Sequence, residues 1–123
     1  MAWKFDSDRP IYTQLTRQIQ MRIVSGYYPP GGKLPSVREL AAEAAVNPNT
    51  MQKAFAELER FGLIITLRTN GRIVTEDTGM INETRRKLAG EYLEQFIAQM
   101  QELGFSRDEI ITFIESTGRE QHE

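Results

Sequence analysis

Cysteine is absent from the 123 residues, and histidine occurs once, as His122 near the end of the chain. The lack of cysteine excludes a disulfide framework and is typical of proteins from a reducing compartment. No apolar run approaches the roughly 18 residues that a membrane-spanning helix needs, and the opening residues MAWK are unlike a signal peptide. We therefore expect a cytoplasmic protein with no membrane partner.

Groups that carry catalysis are equally scarce. With no cysteine and one histidine in a polar tail, a paired nucleophile and base are hard to assemble. Glu57 and Glu59 are close in sequence, but they lie on a predicted surface helix with no pocket pattern around them. The stretch PPGGKLP lacks the spacing of a phosphate-binding loop. The sequence predicts a protein that is not an enzyme and that holds neither a cofactor nor a metal ion.

The net charge of −2 is unfavourable for a protein that binds nucleic acid, but the charges are unevenly distributed. Residues 1–77 contain 10 Lys and Arg against 8 Asp and Glu, a balance of +2, whereas residues 78–123 contain 5 against 9, a balance of −4. This difference favours two parts with different roles, although it is weak evidence by itself. The length suits one compact domain, or a small domain with an assembly element.

The stretch from Leu34 to Ile65 predicts two helices in close succession and then the start of a strand. Ser36 and Glu39 form a capping box, which predicts that the first helix begins directly after the serine. Asn47 and Pro48 predict the second start, because Asn is a favourable N-cap and Pro is tolerated at the first helical position. The turn between the helices is about three residues long, which is typical of a helix-turn-helix.

The second helix has two different faces, and Gly62 predicts its end. Its apolar stripe consists of Met51, Phe55, Leu58 and Phe61. The opposite face carries Asn49, Thr50, Gln52 and Lys53, whose side chains can bind base edges or phosphates in a DNA major groove.

The segments PIYTQLTRQIQMRIVSGYYPPGGKLPSVRELA and VNPNTMQKAFAELERFGLI resemble the DNA-binding domain of the GntR family of bacterial transcription regulators. The resemblance extends from Pro10 to about Val74, a little over half of the chain, and its motifs are highly specific in combination. It implies a winged helix-turn-helix that binds a double-stranded DNA operator.

The resemblance also implies which residues contact DNA. In the family, the arginine of the matching RELA motif, here Arg38, reaches a base; a surface arginine paired with Glu39 is the alternative. Lys33 and Lys53 are candidates for phosphate contacts, with solvated lysines as the alternative. The complete predicted set is Lys33, Ser36, Arg38, Asn47, Asn49, Thr50, Gln52, Lys53, Arg68, Asn70, Gly71 and Arg72.

The flanking segments complete the predicted DNA-binding domain. A helix from residue 10 to about residue 25 buries an apolar stripe, with Arg22 facing outward. The dipeptide NG at positions 70–71 predicts a hairpin between the strands LIITL and RIVTE. We call this hairpin the wing, and Arg68 and Arg72 flank its tip. Family members usually have Gly-Thr-Phe where this chain has GRI.

A polar linker, residues 76–82, precedes a predicted helix from about Glu83 to Leu103 whose apolar residues repeat as a heptad seam. Another capping box, Ser106 and Glu109, predicts a last helix. Two such helices resemble the short YtrA-type branch of the family, where they serve mainly for dimerisation. The predicted dimer interface consists of Ala89, Tyr92, Leu93, Phe96, Met100, Leu103, Ile110, Phe113 and Ile114. The alternative is a pocket between subunits for an unidentified small-molecule effector.

These observations predict a mainly α fold with a small β-hairpin. A winged helix-turn-helix DNA-binding domain, residues 1–77, is followed by a two-helix dimerisation element, residues 78–123. The predicted function is sequence-specific transcriptional regulation by a homodimeric repressor on a near-palindromic operator. The alternative is a winged-helix module that binds proteins and has no specific DNA site.

Overall fold

The computed structural model describes residues 2–69 and 71–122, with side-chain surroundings up to residue 117. In chain order its elements are α1 (Ile11–Val24), α2 (Val37–Ala44), α3 (Pro48–Arg60), β1 (Ile64–Leu67), β2 (Gly71–Val74), α4 (Thr78–Glu102) and α5 (Arg107–His122). The chain forms two compact units, Met1–Arg85 and Arg86–Glu123. This division lies within α4, eight residues after the predicted domain limit at residue 77. The assignment of DNA binding to the first unit and of dimerisation to the second stays a prediction.

Both predicted starts in the helix-turn-helix are confirmed. At α2, the N–H of Glu39 donates to Oγ of Ser36 at 3.1 Å, and the N–H of Ser36 donates to the Glu39 carboxylate at 3.4 Å. At α3, the N–H of Asn49 donates to Oδ1 of Asn47 at 2.8 Å, and Pro48 occupies the first turn. These caps satisfy backbone N–H groups that have no partner inside their helix, so the local sequence decides where each helix begins.

The turn between α2 and α3 contains Ala45 in the left-handed conformation, with φ of 57°. The N–H of Val46 donates to the carbonyl oxygen of Ala41 at 3.0 Å, which closes the last turn of α2. An alanine in this conformation costs roughly 1–2 kcal/mol, because its Cβ approaches the following carbonyl oxygen. The turn is three residues long, as predicted, because α2 ends at Ala44 and α3 begins at Pro48. Its local strain is a feature that the sequence does not indicate.

One apolar core joins the three helices of the first unit to the hairpin. α3 packs against α1, α2 and β1, and its Met51, Phe55 and Leu58 are fully buried, as the helical period predicts. Phe61 was expected to continue this stripe, but it is 43% exposed because α3 ends at Arg60 and the chain turns there.

The first two turns of α4 also belong to this core. Residues 78–82 were predicted to form a polar linker, and that prediction is wrong. The side chain of Asp77 accepts the N–H of Met80 at 3.0 Å, so the helix begins at Thr78. Ile81 is then 6% exposed within the core cluster. Ile81 follows the apolar Met80, but residues 82–87 are all polar, so no helical stripe revealed it.

Arg22 of α1 was predicted to face outward, and it is instead 2% exposed. Its guanidinium carbon lies 3.7 Å from the centre of the Trp3 ring, and Nη1 donates to the hydroxyl of Tyr28 at 3.0 Å. Nη1 also lies 3.8 Å from the carboxylate of Glu43 on α2. The N-terminal arm, residues 2–9, covers α1 at this point. The side-chain amide of Gln14 holds the arm, because it accepts the N–H of Asp6 and donates to the carbonyl oxygen of Asp6. Burial raises the pKa of Tyr28, and the hydrogen bond from Arg22 opposes that shift.

The wing is a two-stranded antiparallel sheet in which Ile64 pairs with Val74 and Leu67 pairs with Gly71. The loop PPGGKLP was predicted to form turns only, but its backbone also forms hydrogen bonds with β2. The N–H of Leu34 donates to the carbonyl oxygen of Arg72 at 2.9 Å, and the N–H of Val74 donates to that of Gly32 at 3.0 Å. The loop before α2 is thereby fixed to the wing.

The second unit contains the rest of α4 and all of α5. The predicted capping box at α5 is confirmed, since the N–H of Glu109 donates to Oγ of Ser106 at 3.2 Å and the N–H of Ser106 donates back at 3.0 Å. The rings of Phe105 and Phe113 meet edge to face, 5.8 Å apart. Across residues 2–69 and 71–122, no helix has both the length and the apolar content to cross a membrane.

Candidate nucleic-acid interface

The first half of α3 presents a polar surface on the side away from the core. Asn49, Gln52 and Lys53 are exposed and Thr50 is partly buried, whereas Met51 is fully buried. This arrangement follows from the helical period, because a turn of about 100° per residue places Asn49 and Lys53 nearly opposite the buried Met51 and places Thr50 and Gln52 at its sides. Amide side chains on an exposed helix can form paired hydrogen bonds with adenine in a major groove.

Two of the predicted DNA contacts have a structural role in the free protein. Oδ1 of Asn47 accepts the capping hydrogen bond of α3, which occupies one of its two lone pairs and leaves both N–H donors of the amide for a base or phosphate. The ammonium of Lys53 lies 3.8 Å from the centre of the Tyr12 ring on α1, although the lysine is exposed. A cation over an aromatic face is held in place without losing its charge.

Arg38 lies exposed in the first turn of α2, two residues after the capping residue Ser36. The alternative partner considered for it was Glu39, but that carboxylate is directed at the backbone N–H of Ser36 in the capping box. The hydroxyl of Ser36 accepts a backbone N–H and still has a proton to donate. A planar guanidinium presented in this way suits the paired acceptors of guanine.

The loop before α2 and the tip of the wing bring further cations to the helix-turn-helix unit. Lys33 is exposed, and its backbone bridges to Ile73 of β2. Arg68 is exposed in the loop after β1. Gly71 has φ of 73°, a conformation that glycine adopts without strain at the end of a hairpin loop. Asn70, another predicted contact, lies outside the described residues.

Arg72 has a different environment from Arg68. Its Nε donates to Oε1 of Glu59 on α3 at 2.8 Å, and the same oxygen accepts the hydroxyl of Thr66 at 2.6 Å. The hydrogen bonds from Thr66 and then Arg72 hold the pKa of Glu59 below its usual range. The predicted wing cation is therefore already paired within the chain.

The sequence reasoning missed Glu59 as part of this site. It is separated from Arg72 by 13 positions, so no local pattern connects them. The period of a strand supplies the missing indication, because Arg72 must lie on the same face as the buried Val74, directed at α3.

The residues predicted for the dimer interface show mixed exposure within one chain. Tyr92, Leu93 and Leu103 are 47%, 54% and 75% exposed, and Phe113 and Ile114 are about half exposed at 50% and 52%. Ala89 is exposed, and Phe96 and Met100 are partly buried. Ile110 differs from them, since it is only 3% exposed within the single chain. The assignment of these residues to an interface stays a prediction.

Comparison with known proteins relates this geometry to a family. The model of the bacterial regulatory proteins of the gntR family matches residues 11–74. The chain is similar to the uncharacterized HTH-type transcriptional regulator YhcF of Bacillus subtilis, with 42% identity over 113 residues, 92% of this chain and 93% of that protein. It is also similar to the HTH-type transcriptional repressor YtrA of the same organism, with 38% identity over 109 residues, 88% of this chain and 84% of that protein.

Solved structures are similar over the same elements. A GntR family transcriptional regulator from Listeria monocytogenes superposes with a TM-score of 0.83 and 42% identity, covering 91% of this chain and 98% of that one. AraR(DBD) in complex with the operator ORX1 superposes with a TM-score of 0.54 and 27% identity, covering 58% of this chain and 93% of that one.

The family model covers the helix-turn-helix and the wing, and the similarity to YhcF and YtrA continues into the C-terminal helices. The chain therefore belongs to the GntR family, in its short YtrA-type branch, and is a winged-helix DNA-binding regulator of transcription.

Proposed function

We propose that this regulator is a homodimeric repressor that binds a near-palindromic operator through α3, the loop before α2 and the tip of the wing. The observation that carries the proposal is the exposed polar first half of α3 beside the exposed guanidinium of Arg38. In this arrangement α3 lies in the major groove and its amide side chains contact base edges, while Lys33, Lys53 and Arg68 contact phosphates.

Dimerisation is supported by the apolar side chains that a single chain leaves exposed on α4 and α5, with Leu93 and Leu103 each more than half exposed. Burial of a large apolar side chain contributes about 1.5–3 kcal/mol, so pairing with a second copy is favourable. A two-fold pair also places two α3 helices on one duplex, at half-sites about one helical turn apart. A near-palindromic operator is what such a pair matches.

Repression follows from occupancy of a promoter, and the relative YtrA is named a repressor. The relatives are regulators rather than enzymes, and we propose the same for this chain, acting in the cytoplasm on chromosomal DNA. The alternative function, a winged-helix module that binds only proteins, makes no use of the polar surface of α3.

The salt dependence of DNA binding tests the proposal. The probe is a duplex from the region upstream of the protein's own gene, compared with a random duplex of equal length. Each phosphate contact contributes about −0.9 to the slope of log affinity against log salt, so about three contacts in each of two subunits give a slope near −5. Between roughly 50 and 200 mM salt the affinity should fall about a thousandfold.

The control variant is Arg107→Ala, which removes an exposed arginine of α5 that is not among the residues proposed to contact DNA and should leave the slope unchanged. A slope near zero contradicts DNA binding through phosphates. Equal affinity for the upstream duplex and the random duplex contradicts sequence-specific binding and favours the protein-interaction module.

A further inference from the structure

A single carboxylate oxygen connects α3 to both strands of the wing. Oε1 of Glu59 accepts the hydroxyl of Thr66 on β1 at 2.6 Å and Nε of Arg72 on β2 at 2.8 Å. Thr66 and Arg72 are directly opposite each other in the register of the hairpin. The outer half of the wing is thus tied to the helix that carries the DNA-binding surface.

The alternation of side chains explains why these residues meet. Thr66 and Arg72 lie on the same face of the hairpin as Ile64 and Val74, which are 2% and 0% exposed in the core. The apolar layer ends with that pair, and the next layer outward is polar on both strands. Glu59, whose side chain is 35% exposed, accepts from both residues of this polar layer.

Arg72 lies between the wing and α3, where it pairs with Glu59, and not at the wing tip. We call this Glu59–Arg72 pair the strut. The side chain of Arg72 is 25% exposed, and its guanidinium carbon lies 5.4 Å from the centre of the buried Phe55 ring. To reach a phosphate, Arg72 would have to give up a charge-assisted hydrogen bond and leave Glu59 charged beside the DNA. Arg68 is exposed in the loop after β1, and within residues 2–69 and 71–122 no carboxylate forms an ion pair or hydrogen bond with it.

We propose that Glu59 and Arg72 are positioning residues that orient the wing, and that Arg68 supplies the phosphate contact of each wing. This inference rests on the proposed DNA binding, and it differs from the expectation that both wing arginines contact DNA. The charge of Arg72 is offset by Glu59 and adds little to the release of counterions. Glu59 and Arg72 affect DNA affinity indirectly, because they fix the orientation of the wing and therefore the position of Arg68.

The first test compares two variants that remove wing charges in different ways. Glu59→Gln/Arg72→Gln removes one charge of each sign, leaves the net charge unchanged and keeps two side-chain amides that can hydrogen-bond to each other. Arg68→Gln removes one exposed positive charge from the same hairpin. Both are titrated with salt on the upstream duplex described above, after circular dichroism has shown that they fold.

Arg68→Gln should reduce the magnitude of the salt slope by about 1.8 over two subunits, which corresponds to an affinity loss of about 60-fold at 0.1 M salt. The double glutamine variant should change the slope by less than about 0.5. An equal reduction of about 1.8 in the double variant would mean that Arg72 contacts phosphate, and the inference would be overturned while DNA binding stands. A wild-type slope near zero would instead reject the proposed function together with the inference.

The second test detects positioning directly, and it also covers the case in which the glutamine pair does not fold. Glu59→Ala/Arg72→Ala removes the strut, in the wild-type chain and in the Arg68→Gln chain. If the strut and Arg68 act independently, the loss of affinity on removal of the strut should be the same in both chains within about twofold. If the strut positions Arg68, its removal should weaken binding at least about threefold more in the chain that keeps Arg68. Equal losses in the two backgrounds would show that the strut stabilises the fold alone and would overturn the inference.

Discussion

Arg22→Ala should destabilise the protein far more than an ordinary arginine replacement on a helix surface. The guanidinium lies over Trp3 at 3.7 Å in a site from which water is excluded, an arrangement that contributes roughly 1–2 kcal/mol. Loss of the hydrogen bond to Tyr28 costs about 1–1.5 kcal/mol and leaves its partly buried hydroxyl without that donor. Loss of the buried aliphatic stem costs about 1.5 kcal/mol or more.

These contributions sum to about 4 kcal/mol, within the range of about 3–5 kcal/mol typical for removal of one partner of a buried charge. The pair with Glu43 adds little, because that carboxylate side chain is 49% exposed and water screens it. For a unit the size of Met1–Arg85, a loss of 4 kcal/mol lowers Tm by roughly 20–25 °C.

The assay is thermal and urea unfolding of Arg22→Ala beside Arg60→Ala, an arginine whose side chain is 66% exposed and paired with Glu57 at 2.9 Å. The control should change stability by no more than about 0.5 kcal/mol. Trp3 is the one tryptophan of the chain, so its fluorescence should shift to the red if the arm separates from α1. A loss below about 1 kcal/mol for Arg22→Ala, equal to that of the control, would refute the burial argument.

Four further predictions concern the DNA-binding surface, the assembly and the strained turn. Arg38→Ala should weaken binding to the upstream duplex more than to a random one, because a bidentate base contact discriminates by roughly 1–3 kcal/mol, whereas Lys53→Ala should weaken both equally; identical patterns would show that Arg38 does not contact a base. Phe96→Asp should give monomers that keep a folded winged domain and lose high-affinity binding, since a two-fold interface buries the new charge twice; sedimentation of a variant that stays dimeric would contradict the interface. Ala45→Gly should raise the free energy of unfolding by up to about 1 kcal/mol, because relief of the left-handed strain exceeds the entropy that glycine adds to the unfolded chain; a lower Tm would count against it. Hydrogen bonds from the wing lower the pKa of Glu59, so the stability that its carboxylate gives the folded protein is present above its ordinary pKa and is lost as the pH falls through the lowered value. Glu59→Gln should therefore show a smaller drop in Tm from about pH 5 to about pH 3 than the wild type. Superimposable profiles of Tm against pH would argue against this role.

The sequence by itself determined the features that depend on residues a few positions apart. The capping boxes at Ser36 and Ser106 and the cap at Asn47 predicted three helix starts, because each cap is made within three residues of the helix end. The helical period separated the polar surface of α3 from its buried stripe for the same reason. The family resemblance, carried by those local motifs, then led to the winged fold and to DNA binding, which the comparisons confirm.

Only the tertiary structure decided what covers each surface. Arg22 was predicted to face outward, but it lies seven positions after the buried Leu15, on the same face of α1, and the N-terminal arm, residues 2–9, folds back and covers it with Trp3. Glu59 and Arg72 are 13 positions apart in the sequence, and they meet because the helix α3 and the strand β2 lie side by side in the folded chain. A period states which side chains share a face, but burial and ion pairing depend on which distant segment packs there, and that is a property of the folded chain.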